Sequence, residues 1–319
     1  MNWYPLSFEP IFKERIWGGT KLKSELGKPI LGDLIGESWE ISTVKDNVSC
    51  ISNGIYQGIQ LDELIKKFPE EILGKQVFKR FGFEFPLLFK FLDAKQDLSI
   101  QVHPNDEIAK SKHQSFGKTE MWYVLQADQK SELIIGFKQK SSAKEYLQNL
   151  ENKNLLSILD SRKVARGDVF FLETGTVHAI GAGTLIAEIQ QTSDVTYRIY
   201  DFERKDIHGI ERELHLDLAL DAINFDVVDA KINYHKTINQ SNEVIHCNYF
   251  KTNFIALDGR MNIENKYDSF LVYMCVDGFF NVQFENQNYD CKKGDTILIP
   301  AALSKFIFSG IASVLEIYV

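Results

Sequence analysis

Two runs of this chain, "VFFLETGTVHAIGAGTLIAEIQQ" and "SFLVYMCVDGFFNVQFENQNYDCKKGDTILIP", alternate short apolar stretches with Gly, Asp and Asn. Stretches that short, rich in β-branched and aromatic residues and bounded by turn formers, pack as hairpin strands rather than as amphipathic helices. The 23 Phe and 12 Tyr spread the same signal over most of the chain, including "SVLEIYV". Helical periodicity is confined to "QLDELIKKFPEEIL", "SSAKEYLQNLENKNLLSILD" and "ELHLDLALDAIN", where apolar residues recur at spacings of three and four behind Asp or Ser. The expected fold class is mainly β with a few inserted α-helices.

An internal echo organises the strands. Placing Gly167 of "ARGDVFFLETGTVHAIGAG" on Gly294 of "KKGDTILIPAALSKFIFSG" puts Asp168 on Asp295, Gly183 on Gly310 and His178 on Lys305. Two copies of one β unit are expected, the second without the histidine. The 319 residues suffice for two domains with cores of their own. The halves are set at residues 1–230 and 231–319, with the polar segment 226–247 as the linker.

A net charge of −8 and the lack of a Lys/Arg stripe argue against nucleic acid as a partner. No apolar run approaches the ~20 residues of a membrane span, and the start of the chain lacks the apolar core of a secretory signal. Cys50, Cys247, Cys275 and Cys291 show no ligand spacing and are expected as reduced thiols. These features together predict a cytoplasmic protein, monomer or homodimer.

Polar residues inside the strand runs mark the candidate site. Side chains alternate along a strand, so Gln101 and His103 share a face, as do Lys118, Glu120 and Trp122. Singly, each has an ordinary explanation: a hydrogen-bonded core histidine, or a strand glutamate paired with a lysine. Jointly with His178, after the Gly-Thr-Val turn of the echoed hairpin, Gln101, His103 and Glu120 form an N/O donor set. It would suit one Zn2+ or another first-row divalent metal and leave positions for water or substrate. Lys90 sits in the apolar run "FPLLFKFLDA", where a cation needs an anion or an escape to solvent. "QQTSDVTYRIYDF" sets Asp194 at a turn before Thr196, Arg198 and Tyr200; Asp194 and Arg198 form either a surface pair or an acid/base group with a fixed cation. His113, His208, His215, His235 and His246 are read as incidental.

At these residues the chain resembles a known family. "PLSFEPIFKERIWGG", "GESWEIS", "FPLLFKFLDA", "LSIQVHPND", "GKTEMWYVL", "GTVHAIGAG" and "TSDVTYRIYDF", in this order, are similar to type I mannose-6-phosphate isomerase in its short bacterial form. The resemblance implies two jelly-roll, cupin-like β-barrel domains. The first would be metal-binding and catalytic; the second would lack metal ligands and be able to pair with the first strands of the chain. It implies interconversion of mannose 6-phosphate and fructose 6-phosphate, usually with zinc, a small sugar phosphate being the partner. The family's ligands fall on Gln101, His103, Glu120 and His178, and its active-site cations on Lys118 and Arg198. Asp194 matches the acidic position before that arginine, and Lys90 and Ser99 match positions lining the cleft. Longer members carry a His where this chain has Gly117. Lys118, with a lowered pKa, is expected to carry the proton between C2 and C1, with Arg198 facing the enediolate and Asp194 serving ring opening or relay. The competing readings are a non-haem metal oxygenase on the same scaffold and a non-catalytic sugar-binding β protein.

Overall fold

Alternation along the strands decides the layering. The computed structural model describes residues 3–206 and 208–319. One sheet runs in the order Lys231–Ile232, Val169–Leu172, Glu120–Ala127, Thr184–Gln191, Leu87–Ala94, Ile11–Gly19, Ile35–Ile41. On one face of it Leu92, Trp122, Val124, Phe170 and Ile186 pack against Leu133, Ile135 and Ile180. Those three belong to a five-stranded sheet, Leu159–Lys163, Glu132–Phe137, His178–Ile180, Ile100–Val102, Tyr197–Tyr200. The far face of the five-stranded sheet, with Ile100, Val102, Ala179, Tyr197 and Ile199, is covered by helices Ala143–Glu151 and Leu216–Ala222 through Tyr146 and Ala219. Ser142 accepts a hydrogen bond from Glu145 N–H and so caps the first of these. Gln101 and His103, of opposite parity to Ile100 and Val102, and Lys90, Glu120 and Glu188, of the same parity as Leu92, Trp122 and Ile186, share the space between the two sheets.

The other face of the first sheet, with Phe89, Phe91, Met121, Tyr123, Ala187 and Ile189, enters a larger core. That core also takes in helices Leu61–Lys67, Pro69–Leu73 and Lys75–Phe81 and the second seven-stranded sheet. The path of this last sheet is Leu6–Ser7, Thr296–Ile299, Leu271–Phe284, Lys305–Tyr318, Lys251–Glu264, Ser241–His246, with Gln287–Lys292 pairing alongside Leu271–Phe284. Thus the chain is mainly β, as expected, but its sheets stack as open layers and do not close into barrels. Among the described residues no helix is long and apolar enough to cross a membrane.

The echoed turn is built identically in both copies. Ala165 N–H donates to Asp168 Oδ2 and Lys292 N–H to Asp295 Oδ2. Gly167 and Asp168 exchange backbone hydrogen bonds with Val124 as Gly294 and Asp295 do with Cys275. Registers Leu172 opposite Glu120 and Ile299 opposite Leu271 then correspond. Where the first copy buries the carboxylate of Glu120, the second buries an isobutyl group; Lys305, matching His178, is exposed. One copy carries polar chemistry and the other only packing.

Other expectations shift. The helical stretch 60–73 breaks at Phe68, because Pro69 cannot supply the N–H that would continue it and instead begins a second helix. Segment 226–247 is not slack: Lys231–Ile232 pairs with Val169–Leu172, and Ser241–His246 pairs with Lys251–Glu264. All four cysteines are free thiols, with Cys275 and Cys291 buried.

Phe270 of the larger core is fully buried, its ring centroid 4.7 Å from that of Phe85. Phe270→Ala is expected to cost about 3–5 kcal/mol through lost transfer energy and a cavity. Since the core is common to both sets of sheets, urea unfolding followed by fluorescence and by far-UV dichroism should shift as one transition; two separated transitions would contradict a shared core.

Candidate metal centre

His103, Glu120 and His178 are buried, and one donor atom from each lies within 4.8 Å of the others. His178 stands opposite Gln101 in strand register. The backbone sets both imidazole tautomers. His103 Nδ1 is 2.9 Å from Val195 O, and His178 Nδ1 is 2.8 Å from Thr176 O. A carbonyl can only accept, so each Nδ1 carries the proton and each Nε2 presents a lone pair. Those lone pairs face the same carboxylate, His103 Nε2 at 3.6 Å from Glu120 Oε2 and His178 Nε2 at 3.3 Å from Oε1. Neither imidazole offers a proton to the carboxylate; the donors beside the two lone pairs are Lys118 Nζ for His103 and the Gln101 amide for His178.

Glu120 sharpens this. Both its oxygens are buried without a hydrogen-bond donor. Lys118 Nζ lies 3.2 Å from Oε2, close enough to attract but misaligned for a hydrogen bond. Burial pushes the Glu120 carboxyl up to about 7, with Lys118 opposing and Glu188 adding to the rise. Burial also holds His103 well below its ordinary value and His178 at about 4, so both imidazoles are neutral near pH 7. Two neutral imidazoles and an orphaned carboxylate fit a divalent first-row cation, which would satisfy all three at once. Gln101 joins them: its Nε2 is 3.3 Å from His178 Nε2 in this rotamer, and a turn of the amide would present its oxygen.

The lowered pKa expected of Lys118 presupposes a neighbouring dication. Lys118 Nζ also lies 3.1 Å from His103 Nε2. Burial alone would lower its pKa, but Glu120 and Glu188 outweigh burial and raise it. The protein's own charges therefore keep Lys118 protonated, and only an added positive charge would reverse this. Gly117 before it is sterically fixed. A Cβ there would come within 2.8 Å of Asp106 N and 2.9 Å of Asn105 C, where the helix Asp106–His113 starts. No histidine fits at this position with the helix so placed.

A cleft of about 520 Å³ opens beside the cluster, lined by Gln101, Lys118, Lys90, Ser99, Asp194 and Arg198 among others. All the predicted polar residues except the three buried donors themselves line it. Glu188, Lys90 and Trp39 in its lining belong to one cross-strand row, which buried Trp122, behind the lining, continues on the next strand. Lys90 Nζ is 3.1 Å from Glu188 Oε1 and 3.9 Å from Glu37 Oε2, and 5.0 Å above the Trp39 ring. Trp122 Nε1 donates to Glu188 at 3.0 Å and Trp39 Nε1 to Glu37 at 2.6 Å, while Arg15 Nε donates to Glu37 at 2.7 Å. The lone cation of "FPLLFKFLDA" thus meets two anions that sequence reading missed. Glu188 in "TLIAEIQQ" and Glu37 in "GESWEIS" carried the same signal as Glu120, a carboxylate on one parity of an apolar strand.

Glu37 is nearly buried, and burial would raise its pKa, but Lys90 and Arg15 more than compensate and hold it at about 2 against 4.5. A folded-state pKa below the unfolded value contributes stability above the unfolded pKa that is lost as pH falls through the folded one. The window is therefore pH 4.5 down to 2. Glu37→Gln should flatten the stability–pH curve there by a contribution on the order of a few kcal/mol; chemical denaturation at stepped pH measures it, and parallel wild-type and variant curves would contradict it.

Arg198 forms no surface pair with Asp194. Its Nη1 donates to Glu213 O at 2.8 Å, and its Nε–H is buried without an acceptor. His215 Nδ1 accepts from Arg198 N–H, and His215 N–H donates to Arg198 O, so a histidine read as incidental braces this strand. Asp194 is exposed on the cleft edge. A register irregularity falls between Arg198 and Tyr200, and Tyr200 lines a different pocket.

A family model described as the phosphomannose isomerase type I catalytic domain matches residues 6–146, and one for the mannose-6-phosphate isomerase cupin domain matches residues 239–319. Mannose-6-phosphate isomerase ManA of Bacillus subtilis is 38% identical over 317 residues, 98% of either chain. Mannose-6-phosphate isomerase of Streptococcus mutans is 33% identical over 310 residues, 96% of this chain and 95% of its own. The crystal structure of the mannose 6-phosphate isomerase from Bacillus subtilis superposes with a TM-score of 0.91 at 32% identity, covering 99% of each chain.

Proposed function

The chain belongs to the type I mannose-6-phosphate isomerase family, and from that membership we infer that it interconverts mannose 6-phosphate and fructose 6-phosphate. The observation that carries the reading is the orphaned Glu120 carboxylate facing two imidazole lone pairs beside a cationic cleft. We assign the metal to His103, Glu120, His178 and Gln101, with zinc as the ion these donors suit. A bound divalent ion supplies Lewis-acid polarisation of the sugar's C1 and C2 oxygens.

The chain's own residues do the rest. Lys118, on the cleft wall beside Glu120, would first release its own proton to solvent, which a bound ion's positive charge favours against the pull of Glu120 and Glu188, and as the neutral amine would take the proton from C2 and return it to C1. Once the Glu120 and His103 atoms it faces are engaged by an ion, Lys118 Nζ keeps no competing partner among them. Arg198 stands opposite Gln101 in register, so its charge is available to the enediolate oxygen. Asp194, at the exposed edge, serves ring opening. Ser99 and Lys90 orient hydroxyl groups, Lys90 being held rigid by Glu188 and Glu37.

Turnover of mannose 6-phosphate, coupled to fructose 6-phosphate consumption, should fall to background after chelation and return with one zinc per chain. Unchanged turnover in metal-free protein would overturn the metal assignment. Oxygen uptake in place of isomerisation would favour an oxygenase.

A further inference from the structure

Two consecutive glutamines in "IAEIQQTSDV" are buried, and the isomerase chemistry uses neither. Gln190 stands directly opposite Glu120 in strand register and shares its face of the sheet; Gln191 has the other parity. Gln190 Nε2 donates to Ser193 O at 2.6 Å and to Gln191 O at 2.9 Å. Carbonyls only accept, so this amide has one orientation, and its Oε1 is left buried without a donor. A side chain kept for packing alone would carry no such oxygen to leave unsatisfied.

Those bonds go to the crossing between the two sheets around the donor cluster. Residues 192–196 leave strand Thr184–Gln191 and enter strand Tyr197–Tyr200. Within them Ser193 Oγ accepts from Val195 N–H at 3.3 Å, and Val195 O meets His103 Nδ1 at 2.9 Å. Gln190 is thus linked through Ser193 and Val195 to the carbonyl that sets the His103 ring. Thr192 steadies the other side of the crossing, its Oγ1 donating to Phe85 O at 2.6 Å. Gln191 reaches elsewhere. Its Oε1 accepts from Thr119 N–H at 2.9 Å, and its Nε2 donates at 3.0 Å to Asp106 Oδ1, which also accepts from Gly117 N–H at 2.8 Å. Both chain neighbours of Lys118 are therefore tied to one pair of side chains.

We propose that the two glutamines are separate positioning residues: Gln190 holds the crossing whose Val195 carbonyl orients the ligand His103, and Gln191 holds the backbone that aims Lys118. The inference deepens the isomerase reading and rests on its metal and proton-transfer assignments. An imidazole ligand is oriented by the partner of its other nitrogen, so loosening that partner weakens metal binding. A proton-transfer group displaced by about 1 Å loses rate while the rest of the cleft still binds substrate. The two braces therefore fail in different ways.

Gln190→Met and Gln191→Met keep much of the volume and remove the amides. Zinc affinity, read by competition with a chromophoric chelator, should weaken about tenfold or more in Gln190→Met, with Thr192 limiting the loss. At saturating zinc its kcat should lie within about threefold of wild type. In Gln191→Met zinc affinity should stay within about threefold, while kcat of the zinc-loaded enzyme falls about tenfold or more at nearly constant KM. Side chains that only packed would lower Tm in both variants without this division. Wild-type zinc affinity in Gln190→Met overturns the first brace, and wild-type kcat in zinc-loaded Gln191→Met overturns the second. Should either variant not fold, Ser193→Ala, which removes the hydroxyl facing Val195 N–H, and Gln191→Asn are read in their places by the same criteria. Wild-type protein that binds no zinc sinks the metal assignment instead, and undiminished turnover in Lys118→Met sinks the proton assignment; neither outcome depends on the glutamine variants.

Discussion

Glu120→Gln should abolish tight metal binding and lower kcat by about a thousandfold or more, because several kcal/mol of Lewis-acid stabilisation leave with the ion. The amide is nearly isosteric with the carboxylate, so the fold around it should persist. Its NH2 could donate to one of the two imidazole lone pairs now facing Glu120. Metal-free Glu120→Gln is therefore expected to be at least as stable as metal-free wild type, relieved of a buried carboxylate that has no hydrogen-bond donor. Zinc titration adds the converse: Tm should climb with free zinc in wild type and stay flat in the variant, since only a state that binds the ion gains from it. If the variant retains one zinc per chain and near-normal turnover, Glu120 is not a ligand.

Lys118→Met should lower kcat by about 10²–10⁴-fold, the range of a positioned proton-transfer group, while zinc content stays at one per chain. Methionine keeps much of the stem's volume in a buried site and removes only the ammonium. The split from Glu120→Gln is diagnostic: one variant loses the ion and the other keeps it, yet both lose turnover. Exchange of the C2 hydrogen with solvent should vanish in Lys118→Met together with isomerisation. A Lys118→Met enzyme that exchanges and isomerises like wild type would transfer the proton role elsewhere.

The donor cluster was legible because alternation leaves few uses for Gln101, His103 and Glu120 on buried strands, whatever the neighbouring strands are. Lys90 was legible as an anomaly but not as an ion pair. Its partners Glu188 and Glu37 are set by cross-strand register, which couples residues far apart in sequence and has no local signature. The same holds for the ion pair of Arg212 with Asp201, eleven positions before it across a loop. The helix Asp106–His113 had a readable sign, Asn105 accepting from Ile108 N–H, that polar context obscured. The helix Lys75–Phe81 follows Gly74 with no side-chain cap, so nothing local announced it. The mainly β, cupin-like fold was legible from the strand runs, which specify facing sheets well; that the sheets stand as layers without closing was not, since closure has no local signature.

Leu6–Ser7 forms the edge of the last sheet by pairing with Thr296–Ile299. During synthesis that strand leaves the ribosome with its partner still unmade, and at about 5–20 residues per second the wait is roughly 15–60 s. Whatever folds early must leave this strand's place open, and its docking waits until residues 296–299 have emerged. Ribosome-bound chains stalled before residue 296 should accordingly leave the opening segment accessible to protease.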